Sequence, residues 1–341
     1  MTVTLALHRD ARDAVGERLE AAAPGARLAV YDAGGVTVEG AAVDPATLDV
    51  DLMWLSPHVL RAADVPDRAA AMAGAFALAK GFRSLKVLET FNAGLDDPRY
   101  GELARAGVAV CNSSAQGIAI AEYVMAQVLA VMHPVERQRE LQAARRWEVT
   151  PFRELSRTSW TILGHGPIGA ALAVRAKAFG AEVAVVRRSP EKPEAADRVG
   201  TLADLPDLLP GADVVVVACP LNEETRGLFD AAMLARTKPG AVLVNVARGP
   251  ILDEGALVAA LDAGRPGVAV LDVFDAEPLP EDHPFWTHPK VRLTAHTSFA
   301  GDGTAGRWEA LFLDNAARMA RGEPLARRVD PRDLGVAEGV A

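Results

Sequence analysis

Cysteine is scarce in this chain, because Cys111 and Cys219 are the only two among 341 residues. Two thiols are too few for a disulfide framework or a cysteine-rich metal site, so no metal site is expected. The first residues, 1–12, also lack a basic segment followed by an apolar run, which argues against a secretory signal. Free thiols suit a reducing compartment, and we expect a cytoplasmic protein.

Positive charge is in deficit: 36 Lys and Arg stand against 45 Asp and Glu, a formal net charge of -9. Such a chain has no global positive field, so neither nucleic acid nor a membrane surface is an expected partner, and any phosphate site must be local. Long apolar runs are also missing. The longest, 69–79, is far shorter than the roughly 20 residues of a membrane span and predicts a buried helix.

What the sequence does contain is a regular alternation of short β-branched runs with helix-length segments. At roughly 100 to 200 residues per domain, 341 residues predict two domains. The alternation predicts α/β domains, each with a parallel sheet covered by helices on both faces. The predicted strands form a group of five and a group of six: 2–7, 27–31, 51–55, 85–90 and 108–111, then 159–163, 182–186, 213–218, 241–246, 267–272 and 291–294.

Two long helices are predicted outside this alternation. Apolar residues recur at near-helical spacing over 116–142, where Pro134 predicts a kink between two helices that link the domains. A second helix is predicted from after Gly303 to Arg321, with Gly322 placed to end it. This last helix is expected to return the chain to the first domain.

A glycine-rich loop follows the predicted strand 159–163 and precedes an Ala-rich helix. Its residues are Gly164, His165, Gly166, Pro167, Ile168 and Gly169. In this strand-loop-helix context, GxGxxG permits a tight turn, close approach of a pyrophosphate to the backbone, and close packing of helix on strand. The alternative is a glycine-rich surface turn. Because strand, loop, helix and next strand all fit, we predict a dinucleotide site here.

The second strand of this unit ends in Arg187, Arg188 and Ser189. NAD-binding versions of the motif carry an acidic residue near this point, where it binds the ribose 2′-hydroxyl. Two guanidinium groups and a hydroxyl would instead hold a 2′-phosphate through charge-assisted hydrogen bonds. A solvated basic turn is the alternative reading. We predict NADP as the preferred cofactor, with NAD possible.

Chemically useful residues follow the strands of the second group. Asp272 ends a predicted strand, Arg248 and His296 each stand two residues after one, and Glu277 lies on the loop after Asp272. Reduction of a carbonyl needs a proton donor and a cation that orients the substrate. A protonated His296 stabilised by Glu277 would supply the proton, and Arg248 would bind a carboxylate. Taken singly, each residue also fits a structural hydrogen bond, a surface turn or an ion pair.

At this point the chain closely resembles the D-isomer-specific 2-hydroxyacid dehydrogenase family, with a glyoxylate and hydroxypyruvate reductase-like character. The resemblance covers about 85–328. Its specific motifs are GADVVVV at 211–217, CPLNEETRGLF at 219–229, KPGAVLVNVARGPILDEGAL at 238–257, LDVFDAEPL at 271–279 and TAH at 294–296. Looser matches are FNAGLD at 91–96 and AE at 121–122.

The resemblance implies that Arg248, Glu277 and His296 are the catalytic arginine, glutamate and histidine, the last two forming a proton-donating pair. It implies that backbone N–H groups at Ala93 and Gly94 help bind the substrate carboxylate. Further residues are implied to lie along the cofactor, with Asp272 near the nicotinamide: Cys219, Pro220, Thr225, Val246, Ala247 and Asp272.

The resemblance also implies a fold and an assembly. We predict a Rossmann cofactor domain at 115–298, inserted into a discontinuous, flavodoxin-like substrate domain formed by 1–114 and 299–341. Homodimers are usual in the family. The expected reaction is hydride transfer between NAD(P)H and a small 2-keto acid or D-2-hydroxy acid.

Departures from the family pattern leave the substrate open. Ala295 replaces a usual proline and Asp97 a frequent histidine. A phosphite- or formate-type dehydrogenase on the same scaffold is an alternative, although Glu277 disfavours the formate version. A nucleotide-sensing regulator without turnover is a second alternative, disfavoured by the presence of all three catalytic residue types.

Overall fold

The structure is a computed structural model that describes residues 2–60, 68–189 and 191–336. The chain divides into two compact units. Unit 1 comprises Met1–Ala115 and Asp302–Ala341, and unit 2 comprises Gln116–Gly301. Unit 1 is therefore built from two separate stretches of chain.

Unit 1 contains a mixed sheet in which, among the described residues, seven strands are ordered β4-β3-β2-β1-β5-β6-β7. Strands β2, β1, β5, β6 and β7 are parallel, an order typical of flavodoxin-like sheets. The strands are β1 (Thr4–His8), β2 (Arg27–Asp32), β3 (Gly35–Val38), β4 (Ala41–Ala42), β5 (Asp49–Leu55), β6 (Ser84–Thr90) and β7 (Ala109–Cys111). The helices are α1 (Arg9–Val15), α2 (Glu17–Ala22), α3 (Arg68–Gly81) and α4 (Pro98–Arg105).

Unit 2 contains a sheet whose seven strands, counted over the described part of the chain, are all parallel and ordered β10-β9-β8-β11-β12-β13-β14. This is the Rossmann order with one further strand. The strands are β8 (Ser159–Leu163), β9 (Glu182–Val186), β10 (Arg198–Gly200), β11 (Val214–Val217), β12 (Val242–Asn245), β13 (Val268–Leu271) and β14 (Val291–Leu293). The helices are α5 (Gly117–Met132), α6 (Val135–Ala143), α7 (Pro167–Ala178), α8 (Leu205–Leu208), α9 (Ala231–Ala235) and α10 (Glu254–Asp262).

The predicted fold class, two doubly wound α/β sheets of Rossmann and flavodoxin-like type, is confirmed. Three short strands were not predicted. β3 and β4 form an antiparallel edge on β2, and β10 has three residues at the edge of the second sheet. β4 and β10 contain no buried β-branched run and depend on hydrogen bonds to a neighbouring strand, whereas β3 does alternate, with Val36 and Val38 buried.

The helical segment 116–142 is divided as its proline predicted. α5 ends at Met132, α6 begins at Val135, and the two helices bend by 57° at Pro134. Among the described residues, no single helix is both long enough and apolar enough to cross a membrane. Only α5 and α6 taken together have that length and composition, and they are bent.

The last long helix, α11 (Thr304–Arg321), belongs to unit 1 and ends where Gly322 adopts φ +68°. Its bounds match the sequence prediction. The ring of Phe312 stacks on Trp54 of β5 at 4.3 Å between centroids, and both side chains are buried. The indole Nε1 of Trp308 donates to the carbonyl oxygen of Phe91 at 3.0 Å. The C-terminal stretch thus fills the core of unit 1.

Replacement of Phe312 by alanine is therefore expected to lower the free energy of unfolding by about 3–5 kcal/mol, because it removes the partner of a buried indole. Urea unfolding followed by tryptophan fluorescence measures the loss. The control is Asp314→Ala on the same helix, which removes an exposed ion pair with Arg318 and should cost no more than about 1 kcal/mol. Equal losses in the two variants would contradict this role for α11.

Candidate active site

The glycine loop between β8 and α7 has the geometry that its sequence predicts. Gly164 adopts φ +101°, and a Cβ there would lie 2.5 Å from the carbonyl oxygen of Ala218. A Cβ on Gly169 would lie 2.0 Å from the carbonyl oxygen of Gly164. By contrast, a Cβ on Gly166 would meet no atom within 4 Å. The first and third glycines are required by packing, whereas the second presents an open backbone surface.

That surface lies at the start of α7, a helix of 12 residues with Pro167 in its first turn. The residue before the helix is Gly166, which has no side chain to bind the first N–H groups. A helix N-terminus with accessible N–H groups and its positive dipole end suits a pyrophosphate. The residues present therefore fit the diphosphate of a dinucleotide.

The end of β9 adjoins this loop. The backbone N–H of Arg187 donates to the carbonyl oxygen of Gly200, and its guanidinium donates to the carbonyl oxygen of Glu191 at 3.3 Å. The pKa of His165 is lowered, first by burial and then by the nearby charge of Arg187. Arg188 is exposed, and the hydroxyl of Ser189 accepts from the N–H of Glu191. The structure thus brings the basic strand end close to the glycine loop.

The turn after β11 carries three of the residues that the family resemblance assigned to the cofactor. Thr225 is buried, and its hydroxyl donates to the carbonyl oxygen of Pro220 at 2.8 Å while it accepts from the N–H of Asn222. Its hydroxyl therefore closes the turn. Burial raises the pKa of the Cys219 thiol to about 12, so this thiol stays protonated.

The loop after β12 carries Arg248, and a side chain missed by the sequence analysis shapes it. Asn245, buried at the end of β12, donates to the carbonyl oxygen of Arg248 at 2.8 Å and accepts from the N–H of Ala247 at 3.0 Å. Val246 and Ala247 are buried. In the sequence, the signal for Asn245 was a polar residue at the end of an otherwise apolar strand.

Gly249 joins this loop to the one that carries Glu277. A Cβ on Gly249 would lie 2.0 Å from the carbonyl carbon of Phe274, so the two backbones are in direct contact. The charge of Arg248 contributes to lowering the pKa of Glu277, which reflects the same proximity. A side chain at Gly249 would force Arg248 and Glu277 apart.

His296 and Glu277 form a pair. The imidazole Nδ1 lies 2.8 Å from Oε2 of Glu277, and the other carboxylate oxygen accepts from the N–H of Phe274 at 3.0 Å. Burial raises the pKa of Glu277, but the hydrogen bonds from His296 and Phe274 outweigh it, and the pKa is lowered overall. Glu277 is thus a carboxylate at neutral pH, and the Nε2 atom of His296 is not used by the pair.

Asp275, the nearest competing carboxylate, belongs to different surroundings. Its N–H donates to Oε1 of Glu254 at 3.0 Å, and Oε2 of the same Glu254 lies 3.3 Å from Nε2 of His283. Burial raises the pKa of Asp275, and the charges of Arg226, Asp253 and His283 make smaller contributions. Geometry therefore favours Glu277 as the partner of His296.

Asp272 organises the turn that carries His296. Its buried carboxylate accepts from the N–H groups of Thr297 at 2.8 Å and Ser298 at 3.0 Å, and its carbonyl oxygen accepts from the N–H of His296 at 2.9 Å.

Ala93 and Gly94 lie in unit 1, after β6, where the carbonyl oxygen of Ala93 accepts from the amide of Asn112 at 2.8 Å.

An all-parallel Rossmann sheet, a GxGxxG loop of the required geometry and a His–Glu pair at the carboxyl ends of its strands define a dinucleotide-dependent oxidoreductase. Comparison with known proteins specifies the class. A family model described as the NAD binding domain of D-isomer specific 2-hydroxyacid dehydrogenase matches residues 125–298. The chain belongs to this family of NAD(P)-dependent oxidoreductases.

Individual relatives agree with this assignment. Glyoxylate/hydroxypyruvate reductase A of Serratia proteamaculans is 31% identical over 74% of this chain and 77% of that protein. D-3-phosphoglycerate dehydrogenase of Bacillus subtilis is 32% identical over 72% of this chain, which spans 47% of that longer protein. A D-isomer specific 2-hydroxyacid dehydrogenase of Xanthobacter autotrophicus, solved in complex with NADPH and MES, is 30% identical, with a TM-score of 0.77 over 98% of this chain and 100% of that one.

Proposed function

We propose that this protein reduces a small 2-keto acid to a D-2-hydroxy acid with NADPH. The observation that carries the proposal is the His296–Glu277 pair, with Nδ1 and Oε2 2.8 Å apart, where the loop of Glu277 is in contact with the loop of Arg248. We assign cofactor binding to unit 2, and we carry the backbone N–H groups of Ala93 and Gly94 as proposed substrate-binding groups.

The proton comes from His296 in this mechanism. Glu277 binds Nδ1, which leaves Nε2 to donate a proton to the carbonyl oxygen as that oxygen becomes a hydroxyl. The carboxylate accepts from Nδ1 and so fixes the orientation and the tautomer of the ring. The lowered pKa of Glu277 keeps this acceptor charged at neutral pH.

Arg248 binds the substrate carboxylate. Its guanidinium is always charged and presents a fork of N–H donors that matches two carboxylate oxygens. The hydrogen bonds of Asn245 to the backbone on either side of Arg248 hold the loop in place. Because 2-keto acids carry a carboxylate next to the carbonyl, this clamp would fix the reacting carbon relative to His296.

The nicotinamide cofactor, when bound, supplies the hydride that the carbonyl carbon receives. The residues that would hold it are the backbone of the glycine loop at Gly166 and the basic end of β9. Thr225 shapes the neighbouring turn after β11. Asp272 follows β13 and binds the backbone of the turn after β14, and the nicotinamide is expected beside it.

His296→Gln is expected to lower kcat for glyoxylate and hydroxypyruvate reduction by about 10² to 10⁴, the range of a general acid, while the Kd for NADPH changes less than twofold. Steady-state assays and calorimetry measure the two quantities. Formate and phosphite, each with NADP⁺ and NAD⁺, form the comparison arms. Turnover of either, without turnover of any 2-keto acid, would refute the proposal.

A second pair of variants tests the partner of His296. Glu277→Gln replaces the carboxylate that binds Nδ1 and should lower kcat for 2-keto acid reduction by about tenfold or more, because the ring loses the acceptor that orients it. Asp275→Asn is the matched control and should leave kcat unchanged. If Asp275→Asn lowers kcat and Glu277→Gln does not, the acid has been assigned wrongly.

We further propose that the cofactor is NADP rather than NAD. Charge-assisted bonds worth about 1.5–3 kcal/mol each predict at least tenfold tighter binding of NADP⁺. Arg187→Asp should abolish or reverse this preference, as measured by calorimetry with both dinucleotides. Arg157→Asp, the same charge change in an exposed residue before β8, should not. The NADPH complex of the Xanthobacter protein supports this proposal. Equal affinities of the wild type for NADP⁺ and NAD⁺ would contradict it.

We also propose a homodimer. The segment between α6 and β8 exposes Trp147, Val149 and Phe152, with Trp147 fully accessible to water. Apolar side chains clustered in this way indicate a surface that a second copy covers. Sedimentation velocity should give the mass of two chains for the wild type and of one for the double variant Trp147→Glu, Val149→Glu. A single-chain mass for the wild type at micromolar concentration would contradict this.

A cytoplasmic location remains part of the proposal. Cys111 and Cys219 are both buried as free thiols, one in each unit, which suits a reducing compartment that also holds NADPH. Recovery of the protein in a membrane or extracytoplasmic fraction of its source cells would contradict it.

A further inference from the structure

The turn that carries His296 has an unfavourable backbone conformation. His296 adopts φ +46°, in the left-handed region that residues with a Cβ rarely occupy. Such a conformation persists only where the surrounding structure holds it. The contacts that hold this turn therefore also fix the direction in which the imidazole projects.

A chain of hydrogen bonds runs from this turn to α5. Asp272 accepts from the N–H groups of Thr297 and Ser298, and it accepts from the hydroxyl of Thr294 at 2.6 Å. The hydroxyl of Thr294 lies 2.7 Å from the hydroxyl of Tyr123. Since Thr294 has one hydroxyl hydrogen and gives it to Asp272, Tyr123 is the donor in the second bond.

The far end of this chain is firmly placed. Tyr123 lies on α5, whose neighbouring residues Val124 and Val128 are fully buried in the core of unit 2. Burial raises the pKa of the Tyr123 phenol, so it keeps its proton at neutral pH and remains a donor. Each bond polarises the next one in the series from Tyr123 through Thr294 to Asp272.

We propose that Tyr123 and Thr294 are positioning residues for the reaction: through Asp272 they hold the turn 294–298 so that His296 meets both Glu277 and the substrate. This rests on the proposed function of His296 as proton donor. Neither hydroxyl touches the reacting atoms in this arrangement, so their loss should reduce turnover without loosening the cofactor.

The kinetic test uses Tyr123→Phe, Thr294→Val and Thr294→Ser. Tyr123→Phe should lower kcat for 2-keto acid reduction about 3- to 10-fold, and Thr294→Val about 10- to 100-fold, because small misplacements of a reacting group are costly. KM and the Kd for NADPH should change less than about threefold. Thr294→Ser, which keeps the hydroxyl, should restore at least half of kcat.

The matched control is Thr237→Val. Thr237 is fully buried before β12, and its hydroxyl donates to the carbonyl oxygen of Leu234 at 2.7 Å, so the change removes one buried hydrogen bond away from the turn. It should leave kcat unchanged. A loss of kcat in Thr237→Val equal to that in Thr294→Val would overturn the proposal, because it would show that any lost buried hydrogen bond lowers kcat through stability.

Double variants separate positioning from stability. Tyr123→Phe added to Thr294→Val should cause no further loss, because both break one chain, and Tyr123→Phe added to His296→Gln should also have no further effect. Additive losses in both double variants would overturn the proposal.

A last measurement does not depend on activity. Exchange of the Thr297 and Ser298 amide hydrogens, followed by mass spectrometry of the peptide over 294–298, should be at least about fivefold faster in Tyr123→Phe and in Thr294→Val than in the wild type. Unchanged exchange would refute the positioning role even if the wild type proved inactive on 2-keto acids. Faster exchange in the two variants, combined with a wild type that is inactive on 2-keto acids, would support the hydrogen-bond chain and refute only the proposed function.

Discussion

The carboxylate of Asp272 is the constraint on which the candidate site depends. It is fully buried at the end of β13, and its oxygens accept from two backbone N–H groups and from the hydroxyl of Thr294. These bonds replace the water that a buried carboxylate loses, and they fix a turn in which His296 has positive φ. Strain of this kind costs about 1–3 kcal/mol and is held by the surrounding bonds. The bonds of Asp272 therefore set the direction in which the imidazole of His296 projects.

A second constraint is the direct contact of backbone with backbone at glycines. Gly169 lies against Gly164, Gly164 against Ala218, and Gly249 against the loop at Phe274. In each case a Cβ would collide with backbone atoms, which cannot rotate away as a side chain can. The glycine loop and the Arg248 loop are thereby brought to the same edge of the sheet as the His296–Glu277 pair. Ligands of open parallel sheets bind at this edge.

Much of the architecture follows from local sequence. The strands β8 and β9 have the bounds that their β-branched runs predict, and α11 begins and ends as Gly303 and Gly322 indicate. The short strands β4 and β10 contain no buried β-branched run and form where a neighbouring strand offers hydrogen bonds, whereas β3, in which Val36 and Val38 are buried in alternation, was overlooked. Thr294 and Tyr123 were missed because their importance lies in partners that are distant along the chain.

The sequence by itself determined which residue types stand at the ends of the strands, where glycines allow close approach, and to which family the motifs belong, because all three are written in local spacing. The family motif pointed to Glu277, and tertiary structure decided between it and Asp275 as the partner of His296, since both lie on one loop and only the folded chain directs one of them to the imidazole. It also decided that Tyr123 meets Thr294 across 171 positions of sequence. Spacing along a chain carries no information about such a contact, which arises when a helix packs against the face of a sheet.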